Sequence, residues 1–378
     1  MRVMVTGVRG LPGVEGGIES HVEQLYRRLA EQGVEVEVVV RSPFQPEEAG
    51  ARWHGLRFRR IWSPKTKGLE ALVHTLFAVS WAIVSRPDVL HIHAVGPGLF
   101  TPLARLFGLK VLFTHHGPDY DREKWGAFAK CLLRLGEYLA CRCASERIAI
   151  SKTIQDLIRE KYAMDARLIP NGVPRAKLCA PGSALQQFGL EPQKYILQVS
   201  RLVPEKRQLD LVNAFDNCQL DGWKLVITGA LKRNDPYVDE VIKRSLEVDD
   251  VVLTDFRQGD ELAELFTNAG LFVLPSAHEG LPIALLEALS YGLQVLASDI
   301  PANLEVGLNE HQYFKLGNID ELAGRLECFA TTPPSPAQAT DIIEWVHQEY
   351  DWGRIASDTH KALAVTTRMS KLGLRNDT

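Results

Sequence analysis

LFVLPSAHEGLPIALLEALSYGLQVLASD, residues Leu271 to Asp299, decides how the chain is read. It divides into an apolar strand (Leu271–Leu274), a short polar loop, a helix and a second apolar strand (Gln294–Ala297). Pro282 suits the first helical turn, where a missing N–H costs nothing and φ is already helical. Leu285, Leu286 and Leu289 form an apolar face, and Gly292 marks the end. The helix mouth offers unpaired N–H groups and the positive end of the dipole, a place for an anion such as a phosphate. Glu279 before the helix and Glu287 on it bracket that mouth, eight positions apart. Like charge keeps carboxylates off a phosphate, but they accept hydrogen bonds from hydroxyls on either side of it. A ligand built as hydroxyls, phosphate, hydroxyls is a nucleotide sugar. Taken alone, the same spacing also fits an ordinary α/β surface with two glutamates, so the rest of the chain must decide.

Outward from this stretch the alternation of strand and helix runs through all 378 residues. Strands are read at Ile196–Val199, Lys224–Thr228 and Val251–Leu253 in the same half, each followed by a helical segment. In the first half, Val3–Thr6 leads into a glycine-rich turn (Gly7, Gly10, Gly13, Gly16, Gly17). A helix from Gly17 follows, with Ile18, Val22, Leu25 and Leu29 on one face, then a strand at Val34–Val40. Further strands are read at Val89–His93, Val111–Thr114, Arg147–Ile150 and Arg167–Ile169, with helices near 69–85, 99–107 and after Ser151. The stretch 175–191, containing Pro181-Gly182, reads as a linker. The expectation is an α/β protein of two doubly wound, Rossmann-like domains, residues 1–178 and 190–345, facing across a cleft. Residues 346–378 give a closing helix and tail.

Apolar and charged fractions of 46% and 24% are those of a globular protein. The net charge of −4 hides an asymmetry: residues 1–178 carry 26 Lys/Arg against 18 Asp/Glu, the remainder 17 against 29. A basic half points to an anionic partner; incidental charge sorting is the other reading. Basic residues cluster at Arg52, Arg57, Arg59, Arg60, Lys65 and Lys67, with Trp53, Phe58 and Trp62 between them. KWGAFAKCLLRLGEYLACR (124–142) reads as an amphipathic helix that either lies on an anionic membrane surface or packs its leucines inward. Leu69–Ser85, 17 residues including Glu70 and His74, falls short of a bilayer span and reads as a buried crossover helix. Six cysteines without a C-x-x-C pair or zinc spacing fit a reducing cytosol, and MRVMVTGVRG is not a signal peptide. The expected location is cytoplasmic, with peripheral contact on the inner face of an anionic membrane; no nucleic-acid partner is expected.

An NADP dehydrogenase is the rival at the first glycine turn. That turn lacks G-x-G-x-x-G, and Arg41 stands where an acidic residue would hold an NAD ribose, leaving only a 2′-phosphate for it to meet. Arg201 and Lys206, in the loop after Ile196–Val199, can neutralise a diphosphate in the ground state and as a leaving group. Surface Arg/Lys pairs are common; this one gains meaning from Glu279 and Glu287 in the same half. No Asp-x-Asp is read on a loop, so with those cations and the helix mouth taking the charge no metal or other cofactor is called for.

In chain order, GGIESHVEQLYRRLAEQG (16–33), THHGPDYDREKWG (114–126), IPNGV (169–173), SRLVPEK (200–206) and HEGLPIALLEALSYG (278–292) resemble the retaining family 4 glycosyltransferases of the GT-B fold. The likeness covers nearly the whole chain, including the closing DWGRIA (351–356). GGIES and HGPDYDREKWG resemble a bacterial subgroup linked to rhamnosyl and related transfers in cell-surface polysaccharide assembly.

The resemblance implies transfer of a sugar from a nucleotide-sugar donor to a lipid-linked or polysaccharide-precursor acceptor, with retention. The first domain would bind the acceptor, the second the donor, and the closing helix would return to the first. Arg201 and Lys206 would hold the donor diphosphate, Glu287 the ribose, and Glu279 a hydroxyl of the transferred sugar. Gly229, Gly280, Leu281, Pro282 and Ile283 would line the donor site, with the N–H groups after Pro282 toward the phosphate. Gly17 would lie near both substrates and His116 beside the reacting carbon. His115 would be its structural neighbour, although the pair can be assigned the other way. Two departures, Asp255 in LTDFRQ where the family has glycine and a glycine pair reduced to Gly229, bear on which base is held. A sugar-nucleotide epimerase on the same fold and a non-catalytic nucleotide-sugar-binding protein are the alternatives.

Overall fold

The computed structural model describes all residues except 67, 123–124, 233, 331, 333–334 and 369–378, so Lys67 and Lys124 lie outside the described residues. The chain forms two compact units, Met1–Gly172 with Trp352–Thr378, and Val173–Asp351. The sequence reading divides the chain at 178 and 346. The structure divides it at Gly172/Val173 and Asp351/Trp352, because the Val173 N–H donates to the Tyr350 carbonyl at 3.0 Å and Val173 bridges to Asp351.

The first unit runs β1 (Arg2–Thr6), α1 (Gly17–Glu31), β2 (Glu35–Arg41), β3 (Arg52–Trp53), β4 (Leu56–Ile61), α2 (Leu69–Ser85), β5 (Val89–His93), α3 (Val95–Gly98), α4 (Thr101–Leu106), β6 (Val111–His115), α5 (Ala127–Cys143), β7 (Glu146–Ala149), α6 (Lys152–Tyr162) and β8 (Arg167–Leu168). Its sheet has the order β3-β4-β2-β1-β5-β6-β7-β8, parallel but for the β3–β4 hairpin. The inner strands are largely apolar, apart from Glu37 in β2 and His91 and His93 in β5, as expected of a parallel sheet covered on both faces. Val3, Val5, Val36, Val38 and Leu112 form one core with Leu25 and Leu29 of α1. The sequence reading contains neither β3 nor β4, since arginines dilute the apolar signal there. In the sheet Arg57 pairs with Glu35 at 2.5 Å and Arg59 with Glu37 at 3.1 Å, so part of the basic cluster neutralises β2. Where one helix was expected near 99–107, α3 and α4 stand instead, broken around Phe100.

The second unit continues with α7 (Ser183–Phe188), β9 (Tyr195–Val199), α8 (Gln208–Asp216), β10 (Lys224–Thr228), α9 (Pro236–Glu247), β11 (Val251–Leu253), α10 (Gly259–Asn268), β12 (Leu271–Leu274), α11 (Ile283–Ser290), β13 (Val295–Ser298), α12 (Pro301–Leu304), β14 (Tyr313–Phe314), α13 (Ile319–Ala330) and α14 (Pro336–Glu349). Its parallel sheet has the order β11-β10-β9-β12-β13-β14. Ile196, Leu225, Ile227, Leu271, Val273 and Leu296 share a core with Leu211 of α8 and Leu326 of α13. The expected linker at 175–191 holds α7. Ala184 and Leu185 are buried, and the Glu264 carboxylate accepts the N–H groups of Gly182 (2.7 Å) and Leu185 (2.9 Å). That long-range cap is invisible in the local sequence.

The closing helix α15 (Trp352–Arg368) returns to the first unit, where Ile355 and Leu363 join the core of α1. Gly172 lies flat against the Trp352 indole; a Cβ there would stand 2.5 Å from the ring.

Helices α2 and α5 differ from expectation in what they bury. α2 turns its small and polar residues inward (Glu70, His74, Thr75, Ala78, Ala82) and leaves Leu76, Phe77 and Val84 exposed. α5 buries Gly136, Glu137, Ala140 and Cys141, while Phe128, Leu135 and Tyr138 face outward. For α5 the cause is close packing: a Cβ on Gly136 would meet the Val95 carbonyl of α3 at 2.3 Å, so only a small-residue face fits. Among the described residues, no helix is long and apolar enough to cross a membrane.

Candidate functional site

In the second unit the strand order reverses between β9 and β12, so the loops after these two strands leave the sheet edge side by side. The first loop carries Arg201 and Lys206, the second His278, Glu279 and Gly280. Their meeting point is an ion pair between Lys206 Nζ and Glu279 Oε1, both side chains largely buried (15% and 11% exposed). The Ala277 N–H donates to the Glu205 carbonyl at 2.8 Å and locks the loops together. Two glutamines absent from the sequence reading shape the first loop. Gln198, fully buried within β9, donates to the Lys206 carbonyl at 3.1 Å. Gln208 donates to the Arg201 carbonyl (2.9 Å) and Ser200 Oγ (2.8 Å), and accepts from the Tyr237 hydroxyl (2.9 Å). A polar residue in an otherwise apolar strand was the available signal for Gln198.

Helix α11 begins at Ile283, and Pro282 is its N-cap, one position before the first turn assigned from sequence. The Pro282 carbonyl accepts the Leu286 N–H at 3.1 Å, and no side chain caps the helix, which leaves its mouth to a ligand. Leu281 and Pro282 are buried beneath it. Glu287, one turn in, is half-buried, and its carboxylate has no hydrogen-bond partner among the described residues. Burial pushes its pKa up to about 7. An unsatisfied carboxylate in this position is a ready acceptor for hydroxyl donors.

Gly229, at the end of β10, permits a close approach: a Cβ would stand 2.0 Å from the Ser200 carbonyl of the Arg201 loop. Asp255 has φ of 61°, the left-handed conformation that explains why glycine suits this place and aspartate is tolerated. Its Oδ1 accepts from the N–H groups of Phe256 (2.7 Å) and Leu231 (2.9 Å), which depress its pKa. The departure from the family pattern thus staples the loops after β10 and β11.

In the first unit, Gly17 opens α1 and is exposed. The glycine turn is pinned onto that helix by Glu19, which accepts the Arg9 N–H at 3.1 Å, and Glu23, which accepts the Gly13 N–H at 3.1 Å. Gly7 (φ 113°) lets the turn pass the end of β5, where a Cβ would meet the His93 carbonyl at 2.2 Å. Arg41 is buried against Glu70 at 3.1 Å, so it is engaged where the NADP reading needs it to meet a phosphate.

The two histidines at the end of β6, His115 closing the strand and His116 following it, are placed differently. His115 is fully buried: Nδ1 accepts the Gly117 N–H at 3.1 Å and Nε2 donates to Glu137 at 2.8 Å. Glu137 also receives Tyr120, Tyr162 and Lys161. Burial would raise its pKa, but the bonds from His115, Lys161 and Tyr162 prevail and hold it at about 2. His116 is half-buried, and its Nε2 lies 2.9 Å from His93 Nδ1. Burial first, then the neighbouring imidazoles of His21, His115 and His91, hold His116 well below the usual histidine range. His21, His93 and His116 each bring one ring nitrogen within 4.8 Å of the others. An Asp-x-Asp spacing does occur in the following loop, at Asp119 and Asp121; Asp119 is paired with Arg122 at 3.1 Å.

Two parallel-sheet α/β units, a closing helix that belongs to the first, and a cation–carboxylate pair beside an uncapped helix mouth in the second define the class of nucleotide-dependent group-transfer enzymes. Residues 15–177 match the model of Glycosyltransferase Family 4, and residues 184–343 match that of Glycosyl transferases group 1. The chain belongs to the family 4 glycosyltransferases and is a glycosyltransferase of GT-B fold. A putative teichuronic acid biosynthesis glycosyltransferase, TuaC of Bacillus subtilis (strain 168), is 25% identical over 296 residues, 75% of this chain and 72% of that protein. A UDP-Gal:alpha-D-GlcNAc-diphosphoundecaprenol alpha-1,3-galactosyltransferase of Escherichia coli is 29% identical over 261 residues, 63% of this chain and 65% of that protein. Among solved structures, HepE of Anabaena in complex with UDP-glucose superposes with a TM-score of 0.79 at 20% identity, covering 97% of this chain and 100% of that one.

Proposed function

We propose that the protein moves a sugar from a nucleotide-sugar donor to a lipid-linked or polysaccharide-precursor acceptor, with retention of anomeric configuration, in cell-surface polysaccharide assembly. The observation that carries this reading is the Lys206–Glu279 pair at the switch point of the second sheet, next to the uncapped mouth of α11 and the unsatisfied Glu287. Lys206 and Arg201 take the diphosphate, the N–H groups after Pro282 a phosphate, Glu287 the ribose hydroxyls and Glu279 a hydroxyl of the sugar. Gly17 and His116 serve the reacting end of the substrates from the first unit. As the bond from the anomeric carbon to the phosphate oxygen breaks, the acceptor oxygen bonds the same face of that carbon and its proton passes to the departing phosphate oxygen. The cations carry the leaving charge, so no metal is required in this scheme.

Relatives support the substrate classes. The Escherichia coli relative names a UDP-sugar and a diphosphoundecaprenol acceptor, and another, from Xanthomonas oryzae pv. oryzae, names GDP-mannose and a cellobiosyl-diphosphopolyprenol. Exposed Phe128, Leu135 and Tyr138 on α5 favour peripheral contact with the membrane that holds such an acceptor. Lys206→Ala and Glu279→Ala test the site. Each should abolish transfer while circular dichroism stays unchanged, and near-wild-type turnover in either would refute the assignment.

A further inference from the structure

Behind His116 in the first unit lies a row of buried polar groups that has no part in the chemistry above. Thr114 Oγ1 lies 2.7 Å from His91 Nε2, and His91 Nδ1 2.5 Å from the Tyr26 hydroxyl. The same hydroxyl lies 2.9 Å from His93 Nε2, and His93 Nδ1 lies 2.9 Å from His116 Nε2. Thr114, His91, Tyr26 and His93 are all fully buried; His116 is the half-buried end.

Each member has one proton to give. Were Tyr26 to accept from both imidazoles, its own buried O–H would be stranded, so the row runs head to tail in one of two directions. In one, the Tyr26 O–H donates to His91, the His91 Nε2–H donates to Thr114, and His116 must give its Nε2–H to His93. The Thr114 O–H is then left without an acceptor among the described residues. In the other, Thr114 donates to His91 Nε2, His91 Nδ1–H to Tyr26, Tyr26 O–H to His93 Nε2, and His93 Nδ1–H to His116 Nε2. Every buried donor is satisfied, and His116 carries its proton on Nδ1, the ring nitrogen that His93 does not engage. Stranding a buried hydroxyl disfavours the first arrangement by roughly five- to a hundredfold.

We propose that Thr114 sets the direction of this row, so that His91, His93 and His116 all hold their proton on Nδ1 and His116 presents a fixed, neutral N–H donor to a sugar or phosphate oxygen of the substrate. Thr114, His91, Tyr26 and His93 are then positioning residues acting through His116. What the donor meets rests on the transfer reading above; the proton arrangement does not.

Burial above all, then neighbouring imidazoles, hold the pKa values of His91, His93 and His116 well below the usual range, so the row stays neutral at physiological pH. The His91 and His93 rings stack with centroids 4.2 Å apart, a contact two imidazolium cations would oppose. A cation held by His21, His93 and His116 is the competing use of these groups. It would break the His93–His116 bond, and the trio contains no carboxylate to offset its charge.

Two-bond 1H–15N correlation spectra of the full chain labelled with 15N-histidine decide the matter, since an imidazole in water favours the Nε2–H form. Three Nδ1–H signals from His91, His93 and His116 are expected in the wild type. Thr114→Val and Tyr26→Phe should each convert His116 to a mixture with Nε2–H, and Thr114→Val should lower kcat severalfold with donor KM unchanged. An Nε2–H His116 in the wild type overturns the proposal, whether or not the variants fold. So does movement of the His21, His93 and His116 signals together on adding equimolar Zn2+. The expected spectrum in a protein that transfers no sugar upholds the row and overturns the transfer reading instead.

Discussion

Glu287→Gln separates a ligand-binding role for Glu287 from a structural one. Its pKa in the fold is about 7, above the ordinary 4.5, because burial disfavours the charge and no side-chain partner among the described residues offsets it. The sign follows: whatever stability this group provides is complete below pH 4.5 and is lost as pH rises through 7. The shift corresponds to about 3 kcal/mol of strain in the ionised apo protein at pH 8. Glu287→Gln should therefore raise the unfolding free energy at pH 8 by an amount of that order and leave it nearly unchanged at pH 4.5. Hydroxyl donors prefer the ionised carboxylate, so affinity for an intact nucleotide sugar should rise about tenfold between pH 6 and pH 8, as the ionised fraction does. An intact nucleotide sugar is the right probe, since its diphosphate does not titrate in this range. Isothermal titration and urea unfolding at each pH supply both readings. The variant should be the more stable protein at pH 8 and the weaker binder, with a flat pH profile. A variant that loses stability at pH 8, or that keeps wild-type affinity and its pH dependence, would refute the reasoning.

Two further outcomes follow from the first unit. Glu137 has its pKa lowered from 4.5 to about 2, so its contribution is full above pH 4.5 and is lost as pH falls through 2. Urea unfolding of the wild type should show a decline of about 3 kcal/mol from this group across that window, absent in Glu137→Gln; parallel curves would contradict it. Binding to vesicles containing anionic lipid should weaken as salt rises from 0.05 to about 0.5 M and be reduced by Phe128→Glu, whereas indifference to lipid charge would remove the membrane reading.

Much of this architecture is legible in the sequence because parallel strands covered on both faces are apolar runs. Leu271–Leu274, Lys224–Thr228 and Val89–His93 have the same bounds in sequence and structure. What escapes has a physical reason. β4 carries Arg57, Arg59 and Arg60, whose partners lie on a neighbouring strand and not in the local pattern. α7 depends on Glu264, some eighty residues away. α2 and α5 look like helices with apolar faces to bury, yet glycine and alanine decide which side packs, and that is a three-dimensional property. At the site, the residues named from motif positions are distributed by the sheet: β9 and β12 are adjacent only because the strand order reverses, and that adjacency joins Lys206 to Glu279. The polar rows behind the named residues, Gln198 with Gln208 and Tyr26 with His91 and His93, were marked only by polar side chains in buried strands and helices.

The most direct measurement is of product. Incubating the protein with UDP-, GDP- and dTDP-sugars and a polyprenyl-diphosphate-linked saccharide should release nucleoside diphosphate with one donor, only when the acceptor is present. Proton NMR of the new glycosidic bond should show the donor's own anomeric configuration. Inverted configuration, donor consumed without any acceptor, or no release of nucleoside diphosphate with any pair would contradict the account.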